Sequence, residues 1–267
     1  MKKLVILKKK LYLAYQIMCD MKRIASIFLF AMAVCSVSAQ SLIGNSSTPV
    51  IEVEQAAYLP KTDWLTTFDK VKIDGQMNVV FKEVKSAEEV RITYDTKGDI
   101  TTKFKFEIDK NSRLVVSEKL DSKRTTITDV TIYYYILKDV KIAHAKAKFE
   151  NKIESALFDL TMSGGALVDM EVNTLDIAVE CTGISSLTLK GQTKYLTMNV
   201  STAKVDCSNL STVSTTVEAS HSAEVRIVVS ERLEATTSTS AKLLYKGRPI
   251  ILRNHMVAFG GDIIDIN

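Results

Sequence analysis

Between Ala156 and Gly247 the sequence returns to one pattern at a constant interval, the step from Leu160 to Val179, and that period constrains the fold more than any other feature. Phe158-Asp159-Leu160-Thr161-Met162-Ser163 is followed by Ile177-Ala178-Val179-Glu180-Cys181-Thr182. Leu196-Thr197-Met198-Asn199-Val200-Ser201 and Thr215-Thr216-Val217-Glu218-Ala219-Ser220 continue the series. Apolar residues fall in columns, such as Leu160/Val179/Met198/Val217 and Met162/Cys181/Val200/Ala219. A second set aligns if the spacing varies slightly, as Val168/Leu187/Val205/Val225/Leu243 and Met170/Leu189/Cys207/Ile227/Tyr245. Alternation of apolar and polar residues puts one side of an extended chain inward, and a fixed short period stacks such chains as coils. At ~3.3 Å per residue one coil has a perimeter near ~60 Å, enough to enclose a packed core. A lone coil cannot bury its own apolar side, so neighbouring coils must share hydrogen bonds and core.

The corners of these coils are readable too. Ser163, Thr182, Ser201 and Ser220 recur at the same interval, and each is followed by the residue that must turn the chain. Gly164 and Gly183 suit a positive φ there, whereas Thr202 and His221 suit it less well. The expectation is a corner that relaxes along the stack. Ahead of the repeat, Val71, Ile73, Met77, Val79 and Phe81 alternate with polar residues, and Leu114, Val116 and Thr131-Ile132-Tyr133-Tyr134-Tyr135 favour strands. Ile142, Ala145, Phe149, Ile153, Ala156 and Leu160 fall close to helical spacing, but the repeat is the stronger signal. The expected fold class is all-β: a single-stranded right-handed β-helix or β-solenoid over 65–267, with an irregular N-terminal portion. A β-sandwich is the alternative architecture. Val179 stacked between Leu160 and Met198 distinguishes the two.

Residues 1–39 read as a signal peptide. Met21-Lys22-Arg23 is a basic start, Ile24 to Val34 an apolar run of h-region length, and Val37-Ser38-Ala39 a cleavage site before Gln40. Met21 is an alternative true start. The residue before a lipidated cysteine is normally very small, and before Cys35 it is Val34, so an ordinary signal peptide is expected. The run is too short for a transmembrane helix, and none is expected in the mature chain. Residues 40–64, with Pro49 and Pro60, read as an extended leader or one edge strand. Removing the seven Lys+Arg and one acidic residue of 1–39 leaves 28 basic and 30 acidic side chains, a net charge of about −2. That balance gives no footprint for a nucleic-acid partner.

Coils of the form apolar-x-apolar-x-apolar-Ser/Thr-Gly resemble the auto-transporter adhesin head GIN domain family, common in Bacteroidetes. The resemblance also draws on Phe68-Asp69-Lys70-Val71-Lys72-Ile73-Asp74-Gly75, on Leu244-Tyr245-Lys246-Gly247-Arg248-Pro249 and on Gly260-Gly261-Asp262-Ile263-Ile264. It covers about Phe68 to the end. It implies a right-handed β-helical domain, a location in the periplasm, at the cell surface or outside the cell, and a non-catalytic binding role with a glycan or surface protein as partner. It brings no catalytic residues to transfer.

The rival function is a polysaccharide lyase or hydrolase built on a β-helix. Asp169 and Asp206 share an outward column with Thr188 between them, and Glu180 and Glu218 another with Asn199 between them. Two coils at ~4.8 Å each separate such acids by ~9.6 Å. Ordinary solvated faces carry acids in this way too, so no catalytic residue is assigned. His144, His221 and His255 have no metal-ligand spacing, and neither a G-x-S-x-G nor a phosphate-binding glycine loop occurs. No metal and no cofactor is assigned. In Tyr133-Tyr134-Tyr135, a candidate glycan-stacking patch, alternation sends at least one ring into the core. Lys119, Asp121, Lys123 and Arg124 read as a solvated hairpin tip. Cys181 and Cys207 occupy different columns on different coils and are expected to be buried free thiols. Asp262 and Asp265 are expected to guard the C-terminal strand edge, with the leader covering the other end, leaving a mainly monomeric protein.

Overall fold

The computed structural model describes residues 59–97, 103–119, 126–256 and 260–267. The segment expected to be a signal peptide, Cys35, the start of the expected leader and Asp121, Lys123 and Arg124 lie outside these residues. Nine strands build the N-terminal portion: β1 (Lys61–Trp64), β2 (Lys70–Asp74), β3 (Met77–Glu83), β4 (Arg91–Asp95), β5 (Lys105–Ile108), β6 (Arg113–Ser117), β7 (Thr128–Tyr134), β8 (Asp139–Ala143) and β9 (Lys146–Phe149). The regular coils follow as β10 (Ile153–Ser163), β11 (Leu167–Thr182), β12 (Ser186–Ser201), β13 (Lys204–Ser220) and β14 (Glu224–Thr237), closed by β15 (Lys242–Lys246), β16 (Ile251–Met256) and β17 (Asp262–Asp265). The protein is an all-β solenoid of about six turns.

Each long strand bends once and so contributes to two faces. Val179 pairs with Leu160 on one side and Met198 on the other, as the repeat period requires. On the opposite face Val168, Leu187, Val205, Val225 and Leu243 follow one another across successive coils. All these side chains are buried in one continuous core. A column the apolar pattern did not reveal lies just inside the corner, where Ala145, Ala166, Ser185, Ala203, Ala223 and Ala241 are all buried. Small residues are needed there because the chain reverses direction and its two faces converge. The register slips between Thr188 and Lys190 opposite β13, where Asp206 accepts hydrogen bonds from Ser208 N at 2.9 Å and Ser208 Oγ at 2.6 Å.

The corner itself does not relax along the stack. Gly164, Gly183, Thr202 and His221 have φ of 62°, 54°, 59° and 52°, so β-branched Thr202 accepts the left-handed conformation its glycine neighbours adopt freely. The backbone holds it there: Thr202 N donates to Ser220 O at 3.3 Å, and Ile184 N donates to Thr202 O at 3.0 Å. The near-helical spacing of Ile142 to Leu160 has a similar origin. The segment is strand β8, a corner at His144 (φ 63°), β9, a turn and β10. The corner sets the inward residues Ile142 and Ala145 three apart, a shift within β10 sets Ile153 and Phe158 five apart, and Ala156 is exposed.

The N-terminal coils are wound out of chain order. β2 lies between β6 and β8, and β3 between β7 and β9, all parallel. The chain lays down β2–β3, departs to form the outermost coil β6–β7, then crosses back to add β8–β9 beneath. Phe81 of β3 is central to this arrangement, stacked on Phe149 with ring centroids 4.3 Å apart and edge-on to Tyr134 at 6.4 Å. Antiparallel β4 and β5 pair with β7 and β6, and β1 pairs with β4. These three strands cover the edges of the outermost coil. At the other end, among the described residues, β16 pairs only with β14 and β17 only with β15. There Asp265 accepts from Asn267 N at 3.0 Å, while Asn267 Nδ2 donates to Gly247 O at 2.7 Å.

Candidate functional site

β1 is the edge strand and β4 lies between it and β7. Val90 and Ile92 face the core, so Arg91 between them faces outward. Trp64, the last residue of β1, stands opposite Arg91 of β4, and Arg91 stands opposite Tyr133 of β7. Antiparallel pairing brings the three side chains onto one surface. The Arg91 guanidinium lies 3.6 Å from the Tyr133 ring centroid and 5.5 Å from that of Trp64. A planar cation over aromatic faces is attracted by their quadrupoles, which orders a long side chain and the exposed indole beside it. Trp64 remains 56% exposed.

This stack forms one wall of an open cleft of about 670 Å³. Lys82 and Glu83 of β3, Val84, Glu89, Glu150, Asn151 and Thr62 complete the lining. Lys82 Nζ pairs with Glu150 Oε2 at 3.1 Å across neighbouring coils. Arg91 Nη1 donates to Glu89 O at 3.0 Å, and Glu83 N donates to Asn151 Oδ1 at 3.0 Å. The cleft thus has an aromatic wall, a fixed ion pair, an amide and two further carboxylates, suited to holding a polar ligand with one apolar face.

The triple tyrosine divides as alternation requires: Tyr134 is 3% exposed, Tyr135 42%, and Tyr133 lies half-buried under Arg91. Burial pushes the Tyr134 phenol well above its ordinary range. The acid columns keep their registers. Asp169, Thr188 and Asp206 are in line, as are Glu180, Asn199 and Glu218. Asp169 is paired with Lys190 at 3.1 Å, and hydrogen bonds from Ser208 hold the Asp206 carboxyl below the usual range. His144 Nδ1 lies 3.2 Å from Asp74 Oδ1, and His221 Nδ1 lies 3.2 Å from Ser201 Oγ, so both imidazoles are bound into corners. Among the described residues no group of three His, Cys, Asp or Glu is placed to hold a metal. Cys181 and Cys207 are buried and unbridged, and burial raises the Cys181 thiol to about 12. Reading the sequence did not find Trp64 or Arg91 as site residues. The available signal was the chain's single tryptophan in a polar, proline-flanked stretch, where no core needs it.

The fold is therefore that of a β-solenoid whose irregular end carries an aromatic cleft. The chain belongs to the family described as "Putative auto-transporter adhesin, head GIN domain", which matches residues 67–249. Among solved structures it is similar to a "putative adhesin" from Bacteroides fragilis, at 16% identity and a TM-score of 0.69, covering 78% of this chain and 96% of that one. A "putative adhesin" from Parabacteroides merdae matches at 15% identity and a TM-score of 0.57, covering 80% and 98%. A "putative lipid binding protein" from Parabacteroides distasonis matches at 13% identity and a TM-score of 0.57, covering 78% and 97%. At these identities the likeness establishes the fold alone. No curated protein matches the chain.

Proposed function

We propose that this protein is an exported, non-catalytic binding module of the cell envelope or surface, with a glycan or a surface protein as its partner. Membership of a family described by adhesion supports the binding role, and the signal-peptide pattern of residues 1–39 supports export. The observation that carries the reading is the half-exposed Trp64–Arg91–Tyr133 stack beside an open polar cleft. An aromatic surface left in water costs solvation unless a partner covers it, and large amphipathic rings are the residues that recognition sites favour. The acids in the outward columns are engaged with lysine and serine neighbours at Asp169 and Asp206, which suits a solvated face better than a proton-transferring pair.

A glycan array run with parallel product analysis tests the binding role. Retention of a glycan without cleavage supports it; release of shortened or unsaturated products sinks it in favour of a carbohydrate-active enzyme. Export is tested separately by fractionating cells that express the full chain. A protein found in the cytoplasm with residues 1–39 intact defeats that half of the proposal.

A further inference from the structure

We infer that the cleft beside Trp64 binds an uncharged sugar ring, with the outer face of the indole as its platform. The inference rests on the glycan reading above and narrows it to a place and a chemistry. The inner side of Trp64 is taken by the Arg91 guanidinium, which is itself backed by Tyr133 at 3.6 Å. The platform is thus held in position before any ligand arrives, so little freedom is lost on binding. A pyranose presents axial C–H groups on one side and hydroxyls around its rim. The C–H side suits the electron-rich indole face, and the rim reaches hydrogen-bonding groups at the cleft wall.

The wall groups decide the charge of the ligand. Lys82 and Arg91 are the cations of the lining, against Glu83, Glu89 and Glu150. Lys82 is committed to Glu150 at 3.1 Å, and Arg91 is held by its stack and by Glu89 O at 3.0 Å. A carboxylate, sulfate or phosphate on the ligand would meet a lining with three carboxylates against two cations, both of which already have partners, and that net negative charge repels it. Hydroxyls fit better, because Glu83 and Glu89 supply acceptors and the side-chain amide of Asn151, whose Oδ1 takes Glu83 N, supplies a donor.

Trp64 is the only tryptophan in the chain, so indole fluorescence reports this site alone. The purified full chain is titrated with uncharged hexasaccharides of β-1,4-linked glucose, β-1,4-linked N-acetylglucosamine and α-1,6-linked mannose, and with an α-1,4-linked galacturonate hexasaccharide. The expected result is a saturable change with at least one uncharged sugar, at an affinity at least tenfold better than for galacturonate. By calorimetry Trp64→Ala should weaken that sugar at least tenfold, Trp64→Phe only a few-fold, and Glu89→Lys should narrow the preference over galacturonate. An unchanged thermal midpoint in Trp64→Ala confirms that the fold is intact, as expected for an exposed edge-strand side chain. Tighter binding of galacturonate, or no response to any uncharged sugar, overturns the inference. If the glycan array retains wild type and Trp64→Ala alike, the binding module stands and this cleft is not its site.

Discussion

The regular coils and the N-terminal coils obey the same packing rules but reach them by different routes. In the regular half each strand pairs with the next one along the chain, one repeat away, as Leu160 does with Val179. In the N-terminal half Val71 pairs with Leu114 on one side and with Val140, still more distant in the chain, on the other. Short-range pairing repays its loop-closure cost at once, coil by coil, whereas β2 and β3 reach their final neighbours only after β6 to β9 have formed. The cleft belongs to the second kind of region. Only where the repeat breaks do antiparallel strands extend the sheet, so that Trp64 on the fully exposed edge strand β1 meets Arg91 on the outward side of β4.

The largest expected effect follows from the centre of the out-of-order coils. Phe81 is fully buried between Tyr134 and Phe149. Phe81→Ala should cost about 3–5 kcal/mol, the usual penalty for emptying an aromatic site in a packed core. Because Trp64 lies on the same end, its fluorescence should report unfolding at lower denaturant than far-ultraviolet circular dichroism does. Coincident transitions by both probes would show that the two halves unfold as one unit, and the distinction drawn between them would fail in energetic terms.

A slightly smaller loss is expected in the regular half. Gly191 has φ 105°, and a Cβ there would run into the carbonyl oxygen of Val172 on the neighbouring coil. Gly191→Ala should therefore cost about 3 kcal/mol, combining positive-φ strain with a backbone clash that no rotamer relieves. The measurement is the urea midpoint by circular dichroism. A loss below about 1 kcal/mol would mean the coils slide apart more readily than close-packed columns should.

How far the sequence could be read follows the same division. The columns through Val179 and Leu187, the buried free thiols and the burial of one ring of the tyrosine run were legible because each depends only on alternation and on the next coil. The insertion of β2–β3 between later coils was not, since no local pattern records a pairing as remote as that of Val71 with Val140. The column of Ala145, Ala166, Ser185, Ala203, Ala223 and Ala241 was periodic but went unread, because small residues carry little hydrophobic signal. Trp64 went unread for the opposite reason. It lies in a stretch whose prolines suggest a linker, and its role arises from the strand it pairs with.

The corners allow a test in which the protein gains stability. Thr202 holds φ 59° on the coil after Gly183, at φ 54°. Left-handed backbone costs a side-chain-bearing residue about 1–2 kcal/mol, and glycine's extra freedom in the unfolded chain offsets about half of that. Thr202→Gly should stabilise the protein by about 0.5–1 kcal/mol, seen as a higher thermal midpoint. An equal or lower midpoint would mean that contacts of the threonine side chain outweigh the strain, and that the corner has adapted to each residue it carries.

The smallest effect concerns a place where the regular half loses its register beside an acid. Asp206 accepts from both Ser208 N and Ser208 Oγ at the slip in β13, and these bonds, foremost the hydroxyl, hold its carboxyl below the usual carboxylate range. A group whose pKa is lower in the folded state adds stability above its unfolded value, near ~4, and that stability is lost as pH falls through the folded value. Asp206→Asn keeps one acceptor oxygen for both Ser208 bonds, while it removes the charge and turns the other oxygen into an NH2 donor. Since the carboxylate is partly open to solvent, the difference at pH 7 should be no more than about 0.5 kcal/mol in favour of the parent. Urea midpoints of parent and variant should separate at pH 7 and converge in acid, once the pH lies below both the unfolded and the lowered folded pKa. A separation that persists at low pH would mean that the charge is not what the slip requires. The shape of the turn would then hold the register, and the irregularity of β13 would be as much a packing feature as the crossing strands at the other end.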